Sequence, residues 1–186
     1  MVVLRAQVIF AGDPCVGKSA LTQAFHSDGT HFPKNYTMTA GVEVCIKSVN
    51  IPETSDSVEL YIYDSAGKEM FADIVLQHWT QPDMFLVGYD VTNEQSFNAC
   101  NKWYERCRAK KANQNLPGAL VAIKTDLKQR RVIVTKQGRD LASSKGLEYF
   151  ECSAKDHENV EAPFYYLAKE FHNLYIEKVE QMKTLT

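Results

Sequence analysis

The sequence predicts an α/β fold, a doubly wound and mostly parallel sheet of about six strands flanked by about five helices. Three observations lead there. Short apolar runs alternate along the chain with segments of helical spacing, and a glycine-bearing loop joins the first run to the first such segment. Two later runs, Met84 to Asp90 and Ala119 to Ile123, are apolar with little polar alternation, as parallel strands covered on both faces by helices are.

Taken in order, Val3 to Ala11 is an apolar run that stops at Gly12, and Ser19 to Phe25 reads as the first helix. The chain therefore opens as strand, glycine loop, helix. Val42, Val44 and Ile46 alternate with Glu43, Cys45 and Lys47, and Val58, Leu60 and Ile62 alternate likewise beyond the turn-rich Ile51 to Ser57, so the two runs read as a hairpin. Glu94 to Lys111, between the two apolar runs, has helical spacing. Thr135 to Lys145 reads as a helix stopped by Gly146, and Leu147 to Cys152 as the last strand. From Ala162 onward, Phe164, Leu167, Ala168, Phe171, Leu174 and Tyr175 fall on one helical face, and the spacing continues through Val179 and Met182. At 186 residues, without repeat or linker, the chain reads as one domain over 1–186 with an extended C-terminal helix.

Composition narrows the function. Hydrophobic residues make up 45% and charged residues 24%, which fits a folded globular chain rather than a disordered one. A net charge of −2 offers no general attraction to phosphate backbones or acidic lipid, so nucleic acid is not an expected partner. The cysteines at 15, 45, 100, 107 and 152 are scattered and odd in number, which indicates neither a disulfide framework nor a zinc site and suits a reducing cytoplasm. Met1 to Arg5 lacks signal-peptide character and the glycine needed for myristoylation, and Met182 to Thr186 carries no prenylatable cysteine. The expectation is a protein with no direct lipid anchor.

Gly12-Asp13-Pro14-Cys15-Val16-Gly17-Lys18-Ser19 matches the phosphate loop G-x-x-x-x-G-K-[ST], placed between strand and helix as its mechanism requires. Its glycines let successive N–H groups converge on anionic oxygens at a helix start. Lys18 is suited to the β- and γ-phosphates and Ser19 to Mg²⁺. The loop says nucleoside triphosphate without saying which base. Lys124-Thr125-Asp126 and Ser153-Ala154-Lys155 follow the last two strands, at the carboxyl edge where open α/β sheets bind ligands. The Asp126 carboxylate can accept from guanine's N1–H and exocyclic amine, a donor pair that adenine lacks. Lys124 would lay its stem along the base, and the Ala154 N–H would meet the guanine oxygen. Asp64, after a strand, is placed to hold Mg²⁺ through water, Gly67 to offer its N–H to a γ-phosphate, and Thr39 to close on the metal through its hydroxyl. Loops of this kind are held by the γ-phosphate and released without it.

With these motifs the whole chain resembles the Ras superfamily, and Tyr89-Asp90-Val91-Thr92 with Ser96-Phe97 is similar to its Rab branch. Asp64-Ser65-Ala66-Gly67-Lys68-Glu69, Glu161-Ala162-Pro163-Phe164, the helix through Glu180 and the missing prenyl box resemble the Rab-like members of the intraflagellar transport B complex. The resemblance implies a P-loop GTPase fold, GTP and GDP with Mg²⁺ as ligands, and Phe32 edge-on beside the guanine. It also implies a heterodimer with a small β-sandwich intraflagellar transport subunit, docking to the coiled-coil subunits of that complex, and residence at the cilium or flagellum and its basal body in moving membrane cargo.

Two positions depart from the family pattern. Lys68 stands where most members have a glutamine that orients the attacking water, and an ammonium has donors but no acceptor, so hydrolysis should be slow. Ile123 stands where the family has an asparagine that bonds the base and braces the phosphate loop; its loss could cost about 1–3 kcal/mol, or one to two decades of affinity. Pro14 and Cys15 also replace small residues over the phosphates. The leading expectation is a nucleotide-dependent switch, and the competing one a structural subunit that nucleotide merely stabilises. A phosphate-loop kinase or ATPase would leave Asp126 unexplained.

Overall fold

A computed structural model describes residues 1–112 and 116–184, so the end of the tail read for a lipid signal lies outside the described residues. Six strands form one sheet: β1 (Val3–Ala11), β2 (Val42–Asn50), β3 (Ser57–Ser65), β4 (Met84–Asp90), β5 (Gly118–Ile123) and β6 (Glu148–Cys152), in the order β2-β3-β1-β4-β5-β6. Only β2 and β3 pair antiparallel; every other pair is parallel. From β1 the chain runs to the edge at β2, returns inward to β3 beside β1, then crosses to build outward through β4, β5 and β6 on the other side. The carboxyl end of β1 therefore sits at the reversal point, where such sheets leave a crevice.

The helices are α1 (Lys18–His26), α2 (Ala72–His78), α3 (Glu94–Asn98), α4 (Cys100–Ala109), α5 (Thr135–Ser144) and α6 (Ala162–Thr184). The predicted helix over Glu94 to Lys111 is divided at Ala99 into α3 and α4, which follow one another as one bent body, so the expected count of about five holds. A 3₁₀ turn at Glu69–Phe71 leads into α2; neither was anticipated.

All residues of β4 and β5 are buried, as predicted for strands covered on both faces. One core lies under α1 and α6, where Phe25 stacks on Phe164 with centroids 4.1 Å apart and Phe10 meets Phe164 edge-on. The other lies under α2 to α5 and is built on Trp79, Phe85, Tyr89, Trp103 and Leu120.

The facing of two elements shows where cover by the fold ends. In the hairpin, Val58, Leu60 and Ile62 point into the core, but Val44 and Ile46 stand half exposed beside Tyr63 and Tyr61, because β2 is an edge strand with one open face. On α6, burial follows Phe164, Ala168 and His172 at four-residue spacing and stops there, while Leu174 is more than a third exposed. The helix has run past the sheet that would cover it. Nε2 of His172 lies 3.1 Å from Oδ2 of Asp56, whose Oδ1 accepts from the Val2 N–H at 2.7 Å, so one carboxylate ties the β2–β3 turn to α6 and β1.

Candidate functional site

β1 delivers the chain to Gly12 at the reversal point, and α1 takes it up at Lys18. Gly12 has φ 149, and a Cβ there would lie 2.4 Å from the Gly88 carbonyl oxygen, so no side chain fits. Cys15 holds φ 63, a conformation that costs a residue with a side chain about 1–2 kcal/mol. The loop is fixed by its surroundings. Lys18 is buried and donates from Nζ to the carbonyls of Gly12 and Asp13, each at 2.9 Å, curling the loop around its own ammonium. Burial pulls that ammonium down to about 8, with Asp64 and Asp13 opposing. An anion placed against it offsets the same penalty. Asp13 in turn accepts from Trp103 Nε1 at 2.7 Å, fastening the loop to α4.

Beside the loop, the Ser19 and Thr39 hydroxyls lie 3.0 Å apart. Asp64, near the end of β3, is buried, and burial pushes its carboxyl up to about 6 although Ser19 and Lys18 pull the other way. Its Oδ1 has no hydrogen-bond partner among the described residues. A buried carboxylate oxygen without a donor is costly, and a cation in front of it removes the cost. Two hydroxyls and a carboxylate are the hard oxygen donors that Mg²⁺ takes, so these residues fit the ion.

The segment after β3 closes over the phosphate loop. A Cβ on Gly67 would fall 2.3 Å from both the Asp13 carbonyl carbon and the Pro14 nitrogen, so the Gly67 backbone is pressed directly on the loop. Lys68 follows and is exposed, and Glu69 is held by α4 through Arg106 Nη1 at 3.2 Å and Lys102 Nζ at 3.5 Å. Pro14, Cys15, Gly17, Lys18, Ser19, Phe32, Thr39, Gly67, Lys68 and Lys124 all line one cavity of about 460 Å³.

At the base end, Lys124 adopts φ 67 and its Nζ donates to the Cys15 carbonyl at 2.7 Å and to Asp90 Oδ2 at 2.6 Å. Asp90 is itself oriented by the Thr92 N–H and hydroxyl. The Thr125 N–H to Cys152 carbonyl bond, at 3.3 Å, ties the two base loops together. The buried Ser153 hydroxyl donates to Asp126 Oδ1 at 2.8 Å and accepts from the Asp156 N–H at 3.0 Å, which fixes the carboxylate's direction. Ala154 is nearly buried and Lys155 exposed. Asp126 and Ser153 to Lys155 do not line the cavity, which reaches only to Lys124; they form a separate cluster adjoining it through that lysine. Behind them Glu151 accepts from Arg131 Nη1 at 3.0 Å and from Thr135 and Tyr149, and these bonds hold its carboxyl down at about 2.

Ile123 is fully buried, its Cγ2 only 3.0 Å from where a Gly17 Cβ would be and its Cδ1 2.9 Å from that of Gly88. It packs against the phosphate loop where an asparagine would bond to it. The polar brace between the base loop and the phosphate loop is carried one residue later, by Lys124 on Cys15. Sequence reading missed this brace, together with Asp90, Trp103 and the Glu69 anchor. Asp90, in Tyr89-Asp90-Val91-Thr92, and Glu69, in Asp64-Ser65-Ala66-Gly67-Lys68-Glu69, left signals, and these were legible as family marks rather than as partners for Lys124 and Arg106.

Comparison with known proteins agrees with this geometry. A Ras family model matches residues 7–173. The chain is 54% identical to the intraflagellar transport protein 27 homolog of Bos taurus and 52% identical to that of Homo sapiens, each over 185 residues and the whole of both chains. It is 37% identical over 180 residues to intraflagellar transport protein 27 of Chlamydomonas reinhardtii, covering 95% of this chain and 88% of that one. A phosphate loop curled on a buried lysine, an orphaned carboxylate oxygen near paired hydroxyls and a family match over most of the sheet lead to one conclusion: the chain belongs to the Ras family of small GTPases.

Proposed function

We propose that the protein is a Rab-like guanine-nucleotide switch that binds GTP and GDP with Mg²⁺, hydrolyses GTP slowly, and works as a subunit of the intraflagellar transport machinery. The observation that carries the nucleotide reading is the one cavity on which Lys18, Ser19, Thr39, Gly67 and Lys124 converge from separate segments of the chain. Lys18 pairs with the β- and γ-phosphates while the backbone N–H groups of Asp13 and of Cys15 to Ser19 surround them, Pro14 having none to give. Ser19, Thr39 and Asp64 hold Mg²⁺, which when bound neutralises phosphate charge. The Gly67 N–H meets the γ-phosphate, so the Thr39 and Gly67 loops close with GTP and loosen with GDP. Asp126, aimed by Ser153, accepts from guanine; Lys124 and Phe32 flank the base, and Ala154, with Lys155 beside it, donates to its oxygen. Because Lys68 has no acceptor for a water proton, intrinsic hydrolysis lies at or below roughly 10⁻⁴ s⁻¹. Titration with fluorescent GTP, GDP and ATP tests the reading. Equal affinity for guanine and adenine nucleotides overturns it. Single-turnover hydrolysis that is already fast, or not raised by Lys68→Gln, overturns the role given to Lys68.

The transport assignment is supported by relatives named intraflagellar transport protein 27, among them three that match over their whole length. We assign the protein to the cytoplasm and to the cilium or flagellum and its basal body, in a heterodimer with the small β-sandwich subunit that docks on coiled-coil subunits. The surface that fits a protein partner is the distal part of α6 with the groove of about 520 Å³ between it and the β2–β3 turn, lined by Ile51, Pro52, Thr54, His172 and Ile176. Deleting residues 176–186 should abolish co-purification with the β-sandwich subunit while leaving nucleotide binding intact. Unchanged partner affinity would place the contact elsewhere.

A second reading, a scaffold subunit that nucleotide stabilises without switching, is favoured by Lys68 and by the apolar packing of Ile123. Partner binding that is equal with GDP and with a non-hydrolysable GTP analogue supports the scaffold, and a clear preference for the analogue supports the switch.

A further inference from the structure

We propose that Lys68 reads the γ-phosphate, so that the residue which weakens hydrolysis also gives the protein a preference for GTP over GDP. The inference rests on the nucleotide reading above and adds to it how the two nucleotide states are told apart. Of the lysines lining the cavity, Lys18 and Lys124 already spend donors on the backbone of the phosphate loop, Lys18 on Gly12 and Asp13 and Lys124 on Cys15. Lys68 is in none of the hydrogen bonds or ion pairs described, yet it lines the same cavity and is exposed to it.

Its place is fixed on both sides. On one side the Gly67 backbone abuts Asp13 and Pro14, leaving no room even for a methyl group. On the other, Glu69 is clasped by Arg106 and Lys102 of α4. A flexible side chain thus springs from a backbone pinned at both neighbours, next to the loop that receives the last phosphate. An ammonium there has three donors and can meet a phosphate oxygen with a charge-assisted bond. That bond exists with GTP and has no counterpart with GDP. Since it is made before any chemistry and does not orient water, it strengthens the bound ground state without lowering the barrier, which favours a long-lived GTP form. Lys34 also lines the cavity, so its own variant is included as a control.

The test compares affinities for GDP and for a non-hydrolysable GTP analogue, both with Mg²⁺, in the full chain and in Lys68→Met and Lys68→Arg. One charged hydrogen bond predicts that Lys68→Met loses about 10- to 100-fold in affinity for the analogue and stays within about 2-fold for GDP. Unchanged GDP binding also shows that the variant folds. Lys68→Arg should retain the preference, and the preference in the parent protein should weaken as salt is raised. The proposal is overturned if Lys68→Met binds both nucleotides with the parental ratio, or if Lys34→Met abolishes the preference and Lys68→Met does not. Failure of the parent protein to bind either nucleotide overturns this proposal together with the nucleotide reading, so the two failures are distinguishable.

Discussion

The phosphate loop and the base loops that adjoin it through Lys124 are built on different principles. At the proposed phosphate site the loop is set by Gly12 and by a Lys18 that binds the loop's own carbonyls, so ligand contacts would come mostly from backbone N–H groups. Cys15 can replace a small residue there because the backbone would carry the contacts, whereas Pro14 gives up a backbone N–H. At the base loops the proposed contacts would come from side chains, Lys124 and Asp126, each of which is aimed by a second residue: Asp90 for Lys124 and Ser153 for Asp126. Replacing one side chain removes a contact outright, and Ile123 is such a replacement. The comparison teaches that a backbone-built site tolerates substitution better than a side-chain-built one, and that here Lys124 on the Cys15 carbonyl supplies a polar tie between the base loop and the phosphate loop that Ile123 cannot.

The largest effect should come from the one side chain on which the phosphate end depends. Lys18→Ala removes charged bonds of about 1.5–3 kcal/mol each, so affinity for fluorescent GDP should fall at least ~100-fold. Near-normal binding would mean that the loop does not hold phosphate. At the base end Asp126→Ala should reduce GDP affinity by up to ~100-fold while leaving weak ADP binding unchanged, because the two lost bonds are specific to guanine. An equal loss for both nucleotides would make Asp126 a structural residue. Ile123→Asn sharpens the contrast, since it should raise guanine affinity about 10-fold by adding back a polar brace. In the nucleotide-free protein it should also lower stability by about 2–4 kcal/mol, because a polar group enters a dry core. Thermal unfolding with and without GDP separates the two effects.

The smallest effect concerns the frame behind the base loops. Arg131, Thr135 and Tyr149 hold the Glu151 carboxyl at about 2 in the folded chain against an ordinary 4.5. A depressed folded value means that the contribution is complete above about 4.5 and is lost as the pH falls toward 2. After solvent screening it amounts to about 1 kcal/mol. Denaturant midpoints between pH 6 and 3 should therefore fall more steeply in the parent protein than in Glu151→Gln. Parallel curves would remove Glu151 from the account.

The sheet was legible because burial of β4 and β5 on both faces writes itself as uninterrupted apolar sequence. The phosphate loop was legible because its glycines are demanded by backbone geometry, as at Gly12. His172, Trp103 and Arg106 were not, because each acts through a partner dozens of residues away and nothing local marks it. The facing of Val44 and Ile46 was hidden for another reason. Alternation reveals that a strand has two faces but not which one the fold covers, and an edge strand can leave its apolar face open.

The most direct test of the central claim is to denature the purified protein and identify by chromatography the nucleotide it releases. The account predicts GTP or GDP near one per chain, with the yield reduced by removing Mg²⁺ during purification and abolished in Lys18→Ala. Release of an adenine nucleotide, or an empty protein that gains no thermal stability from added GDP and Mg²⁺, would contradict it.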